Sequence, residues 1–178
     1  MIRRRQILRS AIVAAGVGVA GCLQGGNGSS GVAATECPPA DADPWIDETR
    51  CPGPSDDGVY VAASEQQVSL GDVVEFTLHN ESGDSVATNR HSRGVYRYED
   101  GTWTTYKVPS AIPAYLIGLD PGQGMSWRVS FDAATETSDG PHELTLPDAD
   151  PGIYAFRVSI AGADNRSVGY VRRFEVVE

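Results

Sequence analysis

The chain is 178 residues long and carries 14 basic and 24 acidic side chains; thirteen of the basic ones are arginine, and Lys107 is the single lysine. Arg3, Arg4, Arg5 and Arg9 fall within the first 21 residues, which hold no acid, so the 157 residues that follow set 10 cations against 24 acids, a net charge of −14. That balance excludes nucleic acid as a partner, since phosphate contacts need clustered cations, and it excludes adhesion to an anionic membrane by charge; it suits an environment whose salt screens self-repulsion.

In chain order the first expected element is a leader over residues 1–21. Arg4-Arg5-Gln6-Ile7-Leu8-Arg9 resembles the twin-arginine export motif, two arginines followed at fixed spacing by apolar residues and a further cation. The apolar run Ala11 to Ala20 is ten residues long. A helix needs roughly 20 residues to span a bilayer, so this run fits the apolar region of a signal instead. Val19-Ala20-Gly21-Cys22 resembles a lipobox, which implies a lipid on Cys22 as the first mature residue. Export signal, lipobox and an acidic, lysine-poor remainder together are similar to haloarchaeal lipoproteins. The resemblance implies a halophilic protein on the extracytoplasmic face of the cell membrane, with the membrane as partner through the lipid.

Residues 22–57 read as a flexible acidic spacer: Gly25-Gly26-Asn27-Gly28-Ser29-Ser30-Gly31, then Pro38, Pro39, Pro44, Pro52 and Pro54 among many acids. With Cys22 acylated, Cys37 and Cys51 remain as a pairable set in an oxidising compartment, and the alternatives are free thiols or a metal clip. A disulfide closing this loop contributes about 3 kcal/mol in the chain-entropy account. Trp45, between the two cysteines, could fold the loop back onto the domain.

From Gly58 onward short alternating runs separated by turn signals predict an all-β fold over residues 58–178. Val74, Phe76 and Leu78 share one face of a strand. Val95–Glu99 and Thr102–Tyr106 flank Asp100-Gly101, a favoured hairpin dipeptide. Trp127, Val129 and Phe131 alternate, as do Tyr154, Phe156, Val158 and Ile160. In the last strand, Ser167–Val177, the apolar even positions are interrupted by Arg172, which predicts a bulge near Arg172-Arg173 or an edge position. The expected architecture is an immunoglobulin-like antiparallel β-sandwich of about seven to nine strands behind a disordered linker.

Asp150-Pro151-Gly152-Ile153-Tyr154 resembles a tyrosine corner, in which Tyr154 bonds back to the preceding loop. With Ser69-Leu70-Gly71-Asp72, Asn80-Glu81-Ser82, Gly101-Thr102-Trp103 and Leu119-Asp120-Pro121-Gly122, the series is similar to bacterial and archaeal Ig-like domains of secreted lipoproteins. It also resembles proteinase-inhibitor-type β-sandwiches, without a distinctive inhibitory loop. The expected role is a non-catalytic interaction or accessory module with a cell-envelope protein as candidate partner; the alternatives are an inhibitor-like module or a non-blue copper or zinc site.

The residues that bear chemistry are scattered. His79, His91, His142 and Met125 lack the cysteine a blue-copper site needs, so no metal and no cofactor are expected. Asp148, Asp150 and Asp164 lie near loops without dense calcium spacing and read as solvated carboxylates. No Gly-x-Ser-x-Gly elbow and no phosphate loop occurs, so no catalytic residue is assigned. Arg90, His91, Arg93, Arg97 and Lys107 form the most uneven run of charge: a candidate patch for an anion or acidic partner, against pairing with the protein's own carboxylates. Asn27, Asn80 and Asn165 begin candidate glycosylation sequons.

Overall fold

The alternation read from Gly58 onward resolves into two β-sheets packed face to face. The computed structural model describes residues 37–51, 57–108, 114–131, 140–161 and 166–178. The leader with Arg4 and Arg5, Cys22, Asp164 and the sequons at Asn27 and Asn165 lie outside the described residues. In chain order the strands are β1 (Glu48–Arg50), β2 (Val59–Ala63), β3 (Gln67–Ser69), β4 (Val73–Asn80), β5 (Val86–Glu99), β6 (Thr102–Lys107), β7 (Ile117–Leu119), β8 (Gly124–Ser130), β9 (Glu143–Thr145), β10 (Gly152–Ala161) and β11 (Ser167–Val177). The larger sheet runs β1-β11-β10-β5-β6, with β3 also on β11 and β7 also on β5; the smaller runs β2-β4-β8-β9. This is an all-β, Ig-like sandwich. The long strands pair antiparallel, while the three-residue strands β1 and β3 on β11, and β9 on β8, add parallel pairings.

The core lies between the sheets, where the predicted faces meet. Phe76 stacks on Phe156 at 4.3 Å between ring centroids, and Trp127, Val129, Val95, Tyr154 and Phe174 close around them. Fully burying each such side chain contributes about 1.5–3 kcal/mol, so this layer dominates folding. Two polar bonds fix its alignment. The Trp127 indole on β8 donates to the Arg90 carbonyl on β5 at 2.8 Å, and the Tyr154 hydroxyl donates to the Asp150 carbonyl at 2.8 Å, the geometry of a tyrosine corner. The β5–β6 hairpin turns at Asp100 and Gly101, whose φ values of 49° and 83° are what a two-residue turn of this hand requires.

One expectation is corrected here, and another is narrowed to one of its two alternatives. Residues 37–51 are not a free spacer: the Cys37–Cys51 disulfide, a 3-10 turn at Ala40–Ala42 and β1 lay this segment on the sheet. Composition misjudged it because its anchoring is polar and covalent rather than apolar. Asp47 exchanges two bonds with Ser167, through its backbone N–H and its carboxylate. For β11 the structure selects the edge position over the bulge, since its pairing with β10 runs without a break through Arg172 and Arg173. The irregularity lies instead in β5, which advances five residues from Thr88 to Arg93 while β10 retreats two, from Ile160 to Val158. Arg172 interrupts the apolar face where the outer edge of β11 has no strand partner, between its pairings with β1 at residues 168–170 and with β3 at 175–177.

Candidate functional site

The site begins on β10, whose two faces are both occupied. Tyr154, Phe156, Val158 and Ile160 enter the sandwich, and Ala155, Arg157 and Ser159 lie on the opposite, outer face. A charged residue there would ordinarily reach water. Arg157 is only 2% exposed, because the disulfide-closed segment covers it. Its Nη2 meets Asp43 Oδ2 at 2.9 Å and donates to the Tyr96 hydroxyl, its guanidinium lies 4.3 Å from the Tyr96 ring centroid, and Tyr96 donates to Asp43 Oδ2 at 3.3 Å. Burial pushes the Tyr96 phenol far above its ordinary pKa, so it stays protonated as a donor. Gly169 on β11 makes room for this arrangement: a Cβ there would stand 2.7 Å from Arg157 Cδ. Arg157 Nη1 is buried without a hydrogen-bond partner among the described residues.

Beside this network lies the β5 irregularity, Asn89 to Ser92. Buried Asn89 holds it, its amide donating to the Tyr115 carbonyl at 2.7 Å and its Oδ1 accepting from the His91 N–H at 2.8 Å. The extra residues part β5 from β10 and leave a cleft of about 260 Å³, lined by Trp45, Leu116, Ile160 and the hydroxyl residues Thr88, Ser92, Ser159 and Ser167. A second cavity of about 10 Å³, room for one water-sized group, shares Trp45, Ser92 and Ser159 with the cleft and reaches Asp43 and Arg157. Trp45 is 65% exposed and Leu116 58%, so the mouth has two apolar walls and a polar floor. Sequence reasoning placed Trp45 in the loop but missed the cleft. The available signal was the odd face of β10, too small and too sparsely charged to be solvated.

The residues singled out in the sequence are not brought together. Arg93 is buried and donates to the carbonyls of Arg90, Gly140 and Glu143 at 2.8–2.9 Å, tying β5 to the start of β9. Arg97 pairs with Glu99 at 3.1 Å and Asp150 at 3.3 Å over the Tyr154 ring, and Lys107 donates to the Thr145 carbonyl at 2.9 Å. The five residues therefore do not form one anion patch: Arg93 and Arg97 lie on the same face of β5 as Val95, and the protein's own oxygens engage Arg93, Arg97 and Lys107. Arg90 is exposed, and His91 is half-buried beside it. His79 stacks on Tyr60 at 5.0 Å, whereas the His142 ring contacts the Ser126 carbonyl at 2.8 Å. Among the described residues no group of three His, Cys, Asp or Glu could hold a metal ion. Asn80 is excluded as a glycan acceptor. It is fully buried, and its amide donates to the carbonyls of Asp84 at 2.9 Å and Leu119 at 2.8 Å.

No protein-family model matches the chain, and no curated protein matches it. Among solved structures it is similar to the CsuC–CsuE chaperone–tip adhesion subunit complex of Acinetobacter baumannii (14% identity, 66% of this chain and 55% of that one, TM-score 0.38). It is also similar to the sporulation control protein Spo0M of Bacillus subtilis (12%, 67% and 49%, TM-score 0.38) and to the PmoD soluble domain of Methylocystis (10%, 69% and 94%, TM-score 0.35). The chain thus spans about half the length of the first of these. Similarity at this level carries no function across.

Proposed function

We propose that the chain is an exported, lipid-anchored binding module, a single non-catalytic Ig-like domain held at the extracytoplasmic face of the membrane through Cys22. The observation that carries this reading is the cysteine arrangement. Cys37 and Cys51 are joined with their Cα atoms 5.9 Å apart, which belongs to an oxidising compartment and leaves Cys22, at the end of the lipobox-like Val19-Ala20-Gly21, as the one cysteine for a lipid. Among the described residues no helix is long and apolar enough to cross a membrane. Residues 23–36 would then connect the lipid to the described part of the domain.

Fractionating cells that express the wild type and Cys22→Ala tests this reading. The wild type is expected with membranes and the variant in the soluble extracytoplasmic fraction; retention of the variant on membranes would sink the anchor. Arg4→Lys with Arg5→Lys should leave the protein inside the cell if export follows the twin-arginine route.

A further inference from the structure

The cleft under Trp45 has the composition of a binding site rather than of a packing defect. A packing defect in a sandwich is apolar and enclosed; this one is open, floored by hydroxyls and flanked by an exposed indole. Ser92, Ser159 and Ser167 have no side-chain hydrogen bond to a described residue, so each keeps both a donor and acceptor positions to offer. The adjoining small cavity reaches Arg157, whose Nη1 is the one donor of the buried network left without an acceptor. An unpaired buried donor is costly unless something fills its position.

From the cleft, its exposed indole and its unbonded serine hydroxyls we infer a binding site for one neutral sugar ring, free or terminal on a glycan. The inference rests on the reading of this domain as a binding module. Charge decides against an anion, since Asp43 already neutralises Arg157 at 2.9 Å and the surrounding domain is strongly acidic. A cation finds Asp43 fully engaged, by Arg157, by Tyr96 and by the Trp45 N–H at 3.0 Å. What remains is a neutral ligand with one apolar face for Trp45 and Leu116 and several hydroxyls for the serines. The adjoining cavity of about 10 Å³, which Arg157 lines, has room for one water between the ring and that residue. The volume of about 260 Å³ lies just below that of common ligand pockets, which limits the occupant to a single ring.

A ring of about a dozen non-hydrogen atoms at ordinary ligand efficiency gives a Kd of about a millimolar. The purified full-length protein in detergent is titrated with glucose, galactose, N-acetylglucosamine and methyl glucoside, with gluconate as the charged counterpart. Tryptophan fluorescence and saturation-transfer NMR report binding. At least one neutral ring should saturate, and Trp45→Ala should weaken it about tenfold or more while circular dichroism and the melting curve stay unchanged. Ser159→Ala, a smaller change on the floor, should weaken it severalfold. Equal binding of methyl glucoside and glucose assigns the terminal ring of a glycan, and loss on methylation assigns the free sugar; either supports the site. No saturation by any neutral ring, unchanged binding by Trp45→Ala, or tighter binding of gluconate would overturn it. Membrane retention of Cys22→Ala bears on the anchor alone and leaves this result standing.

Discussion

Asp43→Asn is the sharpest test of how the N-terminal segment is held. The substitution keeps the side chain's size and an acceptor for the Trp45 N–H, and it removes only the charge facing Arg157. In the wild type that pair sits at 2.9 Å with side-chain exposures of 2% for Arg157 and 13% for Asp43, so water cannot replace the lost partner. Breaking a buried pair from one side costs about 3–5 kcal/mol, whereas an exposed pair is worth about 0–1 kcal/mol. Against a domain stability of about 5–15 kcal/mol this is a large fraction. At a urea dependence of about 2 kcal/mol per molar, the unfolding midpoint should fall by roughly 1.5–2.5 M. Urea titration under non-reducing conditions, followed by tryptophan fluorescence, measures it. Arg157→Met alone and in combination with Asp43→Asn completes the cycle, and the double variant should recover most of the loss because no buried charge remains. A midpoint change below about 0.5 M for Asp43→Asn would refute the reasoning, since it would mean that the guanidinium is solvated despite its cover.

Two further outcomes follow from the same architecture. Cys51→Ser should cost about 3 kcal/mol by the loop-closure account, and less than that in an Asp43→Asn background, because both act on the attachment of one segment; urea titration of the three variants checks the non-additivity. Burial raises the phenol pKa of Tyr96, Tyr106, Tyr154 and Tyr170, so the folded state keeps these protons after the unfolded chain has lost them. Their contribution to stability is therefore complete below about pH 10 and declines above it, by up to about 1.4 kcal/mol per pH unit for each tyrosine. Phenolate absorbance should rise together with unfolding rather than ahead of it, and full ionisation of these tyrosines in a still-folded protein would contradict their burial.

The sandwich was legible because its signal is periodic. Val74, Phe76 and Leu78, or Tyr154, Phe156 and Val158, place every second side chain in the core, and a strand whose inner face is apolar has one register that buries it. Asp100-Gly101 was legible for a different reason, since few dipeptides accept two consecutive positive φ values. The folded state of residues 37–51 was not. Apolar burial there is confined to small contributions such as Ile46 and Ala42, and the segment is held by a disulfide, a buried ion pair and bonds to β11 whose partners lie more than a hundred residues away. Neither periodicity nor composition reports a contact of that separation.

The candidate site shows the same division, and a glycine joins its two halves. The charged run from Arg90 to Lys107 drew notice because it was uneven, yet charge density says nothing about the face on which each cation lies. On β5, Arg93 and Arg97 lie on the same face as Val95 and are engaged by the protein's own oxygens, so two cations of the run that looked most like a surface patch are already partnered. Arg157, alone among uncharged neighbours, attracted no notice and is the residue around which the outer face is built. Gly169 was the local clue. A glycine inside a strand marks close approach of another chain segment, and here both Arg157 and Ile46 occupy the space a side chain would take, with Ile46 Cγ2 at 3.3 Å from its ideal Cβ position. A strand that yields side-chain volume on the face expected to meet solvent is covered on that face. The cover comes from the residues that composition had assigned to the tether, and its border with β5 and β10 is where the cleft opens.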